Sequence, residues 1–275
     1  MTKVGELVGR GRTSDVYAYG RDSVLKVPHI DVPGDWPEFE ALLTKAVGAK
    51  GVAAPEMRDI VEYEDRIAVV FERIDGQSMW QQMLDRPSDV SALTRDLADI
   101  QRALFTVGIP ERIPELVDRL TRKIAVAARL SDTDKAEALA MTASLPRGAA
   151  LLHGDLHPGN VLMSSTGPVV IDWFDATIGH PVADVLRSSL LMQPVADSSP
   201  WHLPGASPEV LSDMHRTYLQ AFSHELEFAR SDLGCWRAVL AAARLAEGAE
   251  VNEDALVALW QSRHDDNIAD SLIVS

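Results

Sequence analysis

The chain has 275 residues, of which 46% are hydrophobic and 24% charged, so it can bury a large core, and its length favours two packed lobes. The formal net charge of −15 argues against a nucleic-acid partner, because phosphates would be repelled, and it suits either a cationic ligand or solubility alone. A single cysteine, Cys235, and the lack of an apolar run of roughly 18 residues predict a cytoplasmic protein with no disulfide and no membrane partner.

The first 72 residues are dominated by strand patterns. A helical spacing of apolar side chains predicts one helix at residues 38–47, which the following glycines would end. Strands are predicted at residues 4–8, 16–19, 23–27, 57–63 and 66–71. Glu64-Asp65 marks the turn between the last two strands. This segment therefore predicts a small sheet with one helix.

After a connector at residues 73–76, the pattern is helical almost throughout. Helices are predicted at residues 91–107, 113–130, 134–144, 183–192, 209–227, 233–247 and 253–263. An insert interrupts them with strands at residues 149–153, 161–164 and 169–172. The order predicts an α+β fold with a small N-terminal β-sheet lobe (1–75) and a larger, mainly helical C-terminal lobe (76–275).

The inserted strands carry a cluster of polar side chains. Asp155 and Asn160 are five residues apart, and the turn at Pro158-Gly159 can aim both into one cavity. Asp172 ends an apolar strand, so a further carboxylate stands at the edge of a core. Phosphoryl transfer needs a carboxylate for the acceptor hydroxyl and hard oxygen ligands for Mg²⁺, and these three residues offer both.

The same residues resemble those of a known family. Two motifs carry the resemblance: H-G-D-L-H-P-G-N, which ends at Asn160, and I-D-W around Asp172. Together they resemble the aminoglycoside phosphotransferase family, whose fold is similar to that of the eukaryotic protein kinases. The resemblance implies a bilobal, protein-kinase-like fold and a magnesium-dependent kinase. It implies that Asp155 is the catalytic base or orients the hydroxyl, and that Asn160 and Asp172 hold magnesium.

Two histidines flank Asp155. His153 is expected to be a hydrogen-bonding scaffold residue rather than a catalyst. His157 stands where protein kinases often carry a lysine near the transferred phosphate, so we expect an auxiliary phosphate contact there. The histidines are four residues apart, as in zinc-binding helices, but Pro158-Gly159 does not continue a helix, which argues against a zinc site.

A glycine-rich turn and the lobe connector form the expected nucleotide site. Gly9, Gly11 and Ser14 fall in a segment similar to the kinase nucleotide-covering loop G-x-G-x-x-G-x-V, with Ser14 in place of the third glycine. The connector resembles the one whose backbone binds adenine in this superfamily, which implies contacts from Glu72 and Ile74. The choice between ATP and GTP stays open.

Lys26 lies within an apolar strand, where an unpaired ammonium would be costly. We therefore expect it to contact a phosphate and a partner carboxylate. Glu40, on the predicted helix, is the favoured partner, and Glu38 is the alternative because the two point to different faces of the helix.

The segment after Asp172 separates two kinds of kinase. A protein kinase has a long activation segment that ends in A-P-E, whereas His180-Pro181 and Asp184 follow here quickly and no A-P-E is present. A small-molecule kinase is thus favoured, and a protein kinase and a non-catalytic nucleotide-binding module are the alternatives. The family usually has Asp where His180 stands. Asp184 is expected to cap the next helix.

An acidic cluster late in the chain includes Glu247 and Glu250, with Glu253 and Asp254 nearby. In aminoglycoside kinases, carboxylates of this region bind ammonium groups of the drug. The resemblance therefore implies that Glu247 and Glu250 contact a hydroxylated, cationic acceptor, such as an aminoglycoside or another amino sugar, with antibiotic resistance as one role. A solvated acidic face is the alternative.

Overall fold

The N-terminal strands form one antiparallel sheet. The computed structural model of the chain describes residues 3–193, 203–248, 252–265 and 267–273. The strands are β1 (Val4–Arg10), β2 (Ser14–Tyr19), β3 (Ser23–Pro28), β4 (Met57–Tyr63) and β5 (Arg66–Glu72). Their order across the sheet is β1-β2-β3-β5-β4. Helix α1 (Trp36–Gly48) connects β3 to β4. All five strands and the helix lie where the sequence predicts them.

Successive side chains of each strand alternate between the two faces of this sheet, and each face packs against different residues. On one face Leu25 packs with Val70, and on the other Val69 packs with Ala41 of α1. Because successive side chains of a strand point to opposite faces, Lys26 points to the α1 side. The sheet therefore presents the lysine to the helix that carries its expected partner.

The C-terminal part is mainly helical. Its helices are α2 (Met79–Asp85), α3 (Val90–Leu104), α4 (Leu116–Val126), α5 (Asp132–Ser144), α6 (Pro181–Met192), α7 (Pro208–Ala221), α8 (Ser223–Phe228), α9 (Leu233–Arg244), α10 (Glu253–Gln261) and α11 (Ile268–Leu272). Helix α6 is buried from Val182 to Met192 and packs against both α7 and α9. The predicted α+β fold is confirmed, and the boundary between residues 75 and 76 stays a prediction.

Five short strands frame the polar loop of the insert. They are β6 (Gly76–Ser78), β7 (Ala150–Leu152), β8 (Val161–Ser164), β9 (Gly167–Val170) and β10 (Thr177–Gly179). They form a three-stranded sheet of order β6-β8-β9 and a separate pair of β7 with β10. None of the helices in the described part of the chain is long and apolar enough to cross a membrane.

Besides shifts at the ends of several elements, the structure differs from the sequence prediction at five places, one of which is the short helix α11 near the C-terminus. Helix α2 and strands β6 and β10 were not predicted, since each is at most seven residues long and shows no clear periodicity. The helix predicted at residues 209–227 is divided into α7 and α8 at Phe222, whose φ of −104° leaves the helical range. These differences move no residue of the polar cluster.

Candidate active site

The loop that carries Asp155 joins β7 to β8 and is held by His153, which is fully buried. His153 Nδ1 accepts a hydrogen bond from Asp155 N at 3.2 Å, so Nε2 carries the proton and donates to Ile171 O at 3.0 Å. The imidazole thereby ties the backbone at Asp155 to the end of β9, which agrees with the predicted scaffold role.

Asp184 orients the same loop from helix α6. Its Oδ2 accepts from His153 N at 3.1 Å, and its Oδ1 accepts from Gly154 N at 2.7 Å. The expectation that Asp184 caps α6 is wrong, because the N-cap is His180, whose Nδ1 accepts from Val182 N at 3.3 Å. His180 thus fills the capping position with an imidazole acceptor.

Asp155 is partly buried among charged side chains. Arg187 donates from Nη2 to Asp155 Oδ1 at 3.0 Å and from Nε to Gly154 O at 3.0 Å, which fixes the carboxylate relative to its own loop. Burial raises the pKa of Asp155; Arg187 opposes the shift, and Asp175 and Glu247 add to it. A carboxylate with a raised pKa is a stronger proton acceptor, as a general base requires.

Asn160 and Asp172 lie at the same end of strands β8 and β9. Asn160 Nδ2 donates to Asp155 O at 2.9 Å, so its Oδ1 is the amide atom that can face a cation. Ile171 N donates to Asn160 O at 3.0 Å, which sets Asp172 next to Asn160. Asp172 has φ 65° and ψ 61°, a left-handed conformation that a non-glycine residue seldom adopts. The backbone therefore places the two residues side by side, and their shared metal site stays a prediction.

Lys26 connects the sheet to this site. Its Nζ lies 2.6 Å from Glu40 Oε1 and 3.2 Å from Asp172 Oδ1. Burial lowers the pKa of Lys26, but the two carboxylates outweigh it and raise the pKa well above the usual value. The structure brings Lys26 to Glu40, which is buried, and not to the exposed Glu38.

The glycine-rich turn bends tightly between β1 and β2. Gly11 N donates to Ser14 O at 2.8 Å, and a Cβ on Gly11 would lie only 3.2 Å from that oxygen. Gly9 is paired with Val16 in the β1–β2 ladder. At the tip of the turn, Arg12 donates from Nη1 to Glu247 O at 3.1 Å, so this loop reaches the C-terminal residues of the site.

The lobe connector exposes backbone groups beyond β5. Glu72 N donates to Glu56 O at 2.8 Å, and Arg73 N donates to Asp22 O at 3.0 Å. Within the described ranges, no acceptor contacts Ile74 N. The Glu72 and Ile74 contacts to adenine stay predictions.

His157 is buried beside the loop, and its Nδ1 accepts from Gly159 N at 3.1 Å. Burial lowers the pKa of His157 to about 3, helped by the neighbouring His153, so the imidazole is neutral at pH 7. A neutral ring supplies no positive charge to a phosphate. The auxiliary phosphate contact stays a prediction.

Glu247 is already paired with cations of the protein. Its Oε1 lies 2.9 Å from Arg187 Nη2 and 3.1 Å from Lys123 Nζ, and its Oε2 lies 3.3 Å from Arg244 Nε. Burial raises its pKa, but the three cations outweigh burial and lower the pKa to about 2. The geometry does not favour Glu247 as a ligand for an ammonium group. Glu250 lies outside the described residues.

Five charged residues near Asp155 were missed in the sequence. They are Arg119, Lys123, Asp175, Arg187 and Arg244. Asp175 is paired with Arg119 and, at 3.2 Å, with Lys123. The sequence contained one signal of these buried charges. Arg187 is the only charged residue in the mostly apolar run 185–192, and a buried charge requires a partner.

A comparison with models of protein families shows which family the chain belongs to. The chain matches the model of the phosphotransferase enzyme family (APH) over residues 4–201, which is more than half of its length. The chain belongs to this family. The resemblance stated from the sequence is confirmed, and so are the kinase-like fold and the assignment as a small-molecule phosphotransferase. No curated protein sequence matches this phosphotransferase.

Solved structures share the fold of this phosphotransferase across almost the whole chain. A thermostable mutant of aminoglycoside phosphotransferase APH(4)-Ia, in a ternary complex with AMP-PNP and hygromycin B, is 18% identical with a TM-score of 0.66, and the match covers 98% of this chain and 94% of that one. Amicoumacin kinase, in complex with AMP-PNP, Ca²⁺ and Ami, is 13% identical with a TM-score of 0.62 and coverages of 97% and 89%.

A third solved structure is of a protein whose family is named after a different kind of acceptor. It is a choline/ethanolamine kinase family protein from Mesorhizobium loti, which is 16% identical with a TM-score of 0.53, and the match covers 99% of this chain and 88% of that one. Similarity at this level shows the fold alone. The acceptor of this phosphotransferase must therefore be argued from its own residues.

Proposed function

We propose that this phosphotransferase moves the γ-phosphate of ATP or GTP to a hydroxyl group of a small molecule, in a reaction that depends on Mg²⁺. The observation that carries the proposal is the chain of contacts from Glu40 through Lys26 to Asp172, beside the pair Asp155 and Asn160. It supplies a cation for the phosphates, a carboxylate for the hydroxyl and two oxygen ligands for a metal ion.

Asp155 takes the proton of the acceptor hydroxyl. The hydroxyl oxygen then forms a bond to the γ-phosphorus, the bond to the bridging oxygen breaks, and ADP or GDP leaves with the electron pair. Arg187 holds Asp155 Oδ1, and Asn160 Nδ2 holds the Asp155 carbonyl, so both the side chain and the backbone of the base are oriented before substrate binds.

Asn160 Oδ1 and the Asp172 carboxylate would hold magnesium. Both are hard oxygen donors of the kind that Mg²⁺ prefers. Among the described residues, no group of three or more His, Cys, Asp and Glu side chains could form a complete metal site, which fits an ion that shares its shell with nucleotide phosphates. When bound, the ion neutralises charge on the phosphates.

The nucleotide is proposed to lie between the glycine-rich turn and the connector. The backbone amides around Gly9, Gly11 and Ser14 would face the phosphates, with Lys26 as their cation. The carbonyl of Glu72 and the amide of Ile74 would contact the base. A cytoplasmic location would supply the nucleoside triphosphate.

The acceptor is a small hydroxylated molecule. Hygromycin B in the APH(4)-Ia complex and Ami in the amicoumacin kinase complex make antibiotics one class to test. The sequence led us to expect a cationic acceptor at Glu247, but the cations around that residue favour another class, which is argued below.

The proposal is tested by a product screen. Purified protein and Mg-ATP or Mg-GTP are incubated with a panel of sugars, amino sugars, hydroxy acids and antibiotics, and mass spectrometry detects products heavier by one phosphate. We expect one class to yield a Mg²⁺-dependent product, and we expect Asp155→Ala to lower turnover by about 10²–10⁴-fold with the fold intact by circular dichroism. The proposal fails if the protein binds Mg-ATP but neither the panel nor a cell extract yields a product.

A further inference from the structure

A small cavity lies beside the catalytic loop, where Gly154 forms part of its wall. Seven charged side chains line it: Arg119, Lys123, Asp175, Asp184, Arg187, Arg244 and Glu247. Arg187 reaches from this wall to the catalytic carboxylate, since its Nη2 lies 3.0 Å from Asp155 Oδ1. A group bound in the cavity would therefore hold its own molecule close to Asp155.

Cations and carboxylates are equal in number around this cavity, at four each. Four cations, from the three arginines and the lysine, are connected to three carboxylates: Asp155, Asp175 and Glu247. A further carboxylate of the wall, Asp184, accepts from two backbone amides and from Gln101 Nε2 and has no ion pair in the described part of the chain.

Two guanidinium donors of residues in this wall have no acceptor among the described residues. Arg187 is 8% exposed, and among the described residues its Nη1 has no hydrogen-bond partner; the same holds for the buried Nε of Arg119. A buried guanidinium N–H without an acceptor is unfavourable, and a carboxylate or phosphate oxygen is the acceptor that best satisfies it. Burial lowers the pKa of Arg244 to about 10, and the nearby Arg187 adds to this shift.

We propose that this cavity binds an anionic oxygen group of the acceptor, a carboxylate or a phosphate monoester, with Arg187 Nη1 as the principal donor and Lys123, a cation of the same wall, as a further contact. The inference rests on the proposed kinase function and names its acceptor class. An ammonium group would find both oxygens of Glu247 already paired with cations of the protein.

The wild-type protein provides the first test. A small-molecule extract of the source cells is divided by ion exchange at neutral pH into anionic, neutral and cationic fractions. Each fraction is incubated with protein and Mg-ATP, and products heavier by one phosphate are identified by mass spectrometry. We expect the acceptor in the anionic fraction, and activity found only in the neutral or cationic fraction would overturn the anionic-acceptor proposal while the kinase function stands.

Failure of the proposed kinase function and failure of the anionic-acceptor proposal give different results. If no fraction yields a product although calorimetry shows Mg-AMP-PNP binding, both the kinase function and this inference are contradicted. Pretreatment of the anionic fraction with alkaline phosphatase, followed by removal of that enzyme, separates the two sources of charge. Activity that survives identifies a carboxylate, and activity that disappears identifies a phosphate monoester.

Variants of Lys123 test the site itself with the acceptor found in this way. Lys123→Met is expected to raise the acceptor KM by about tenfold, the loss of one charge-assisted contact, with kcat changed by less than about twofold. Lys123→Arg should restore most of the affinity. The matched control is Lys50→Met, which removes an exposed lysine just beyond α1. An acceptor KM unchanged in folded Lys123→Met contradicts the proposal, and Lys123→Gln serves if the methionine variant does not fold.

Discussion

Lys26 Nζ lies 3.2 Å from Asp172 Oδ1, an ion pair that joins strand β3 of the N-terminal sheet to the end of strand β9. The same ammonium lies 2.6 Å from Glu40 Oε1. One lysine therefore connects the sheet, helix α1 and the proposed metal ligand. Asp172 remains accessible, with 43% of its side chain exposed, so its carboxylate can also face a bound nucleotide.

Lys26→Met should damage stability and nucleotide affinity in separable ways. The variant leaves Glu40 buried without its cation, and removal of one partner of a buried pair costs about 3 kcal/mol. The double variant Lys26→Met/Glu40→Gln should recover part of this loss, because no isolated charge remains, while the KM for ATP stays raised in both. Urea unfolding and ATP kinetics measure the two effects, and equal stability of the single and double variants would contradict the account.

Asp172→Asn should change the requirement for magnesium. The amide keeps one oxygen but loses the charge that holds the ion, so we expect the Mg²⁺ concentration at half-maximal activity to rise by about tenfold or more at fixed ATP. Glu62→Gln, which alters an exposed carboxylate on β4, is the control. A Mg²⁺ titration that superimposes on that of the wild type would remove Asp172 from the metal site.

Asp184→Asn should lower kcat more than it changes the KM for ATP. Asp184 accepts from His153 N and Gly154 N, so an amide in its place leaves one buried N–H unsatisfied, at a cost of about 1–3 kcal/mol. The loss of this hydrogen bond would displace the loop that carries Asp155. Asp213→Asn, which alters an exposed carboxylate on α7, is the matched control. Thermal unfolding and steady-state kinetics test both parts; a normal kcat in a destabilised variant would limit Asp184 to a structural role.

Local patterns made much of the fold predictable. The hairpin of β4 and β5 turns at Glu64 and Asp65, whose φ values of 48° and 60° are those of a turn with two left-handed residues, and the sequence places the turn there. The polar cluster was equally local, because Asp155 and Asn160 share one loop. Short-range spacing determines both features.

The charged cavity was not predictable in the same way. Arg187 meets Glu247 only because α6 packs against α9, and no spacing along the chain encodes which buried charges meet. The acidic cluster consequently suggested ammonium binding, whereas packing supplies Glu247 with three cations of the protein itself. Asp184 was misassigned for the same reason, since its partners lie on a loop that precedes it by some thirty residues.

The pairing of Glu247 predicts a particular loss of stability in acid. Although burial raises its pKa, Arg187, Lys123 and Arg244 lower it from 4.5 to about 2 in the folded state. A lowered folded pKa means that the unfolded chain binds more protons, so the contribution of Glu247 is present above pH 4.5 and is lost as the pH falls towards 2. The full contribution is about 3 kcal/mol.

Glu247→Gln should remove that part of the pH dependence. We expect the free energy of unfolding of the wild type to fall more steeply than that of the variant between pH 5 and pH 3, measured by urea unfolding at constant ionic strength. Glu225→Gln, which alters a half-exposed carboxylate paired with Arg102, is the control and should follow the wild type. Parallel curves for wild type and Glu247→Gln would show that the cations of the cavity do not hold this carboxylate ionised. They would also contradict the argument that Glu247 is already occupied and cannot bind an ammonium group.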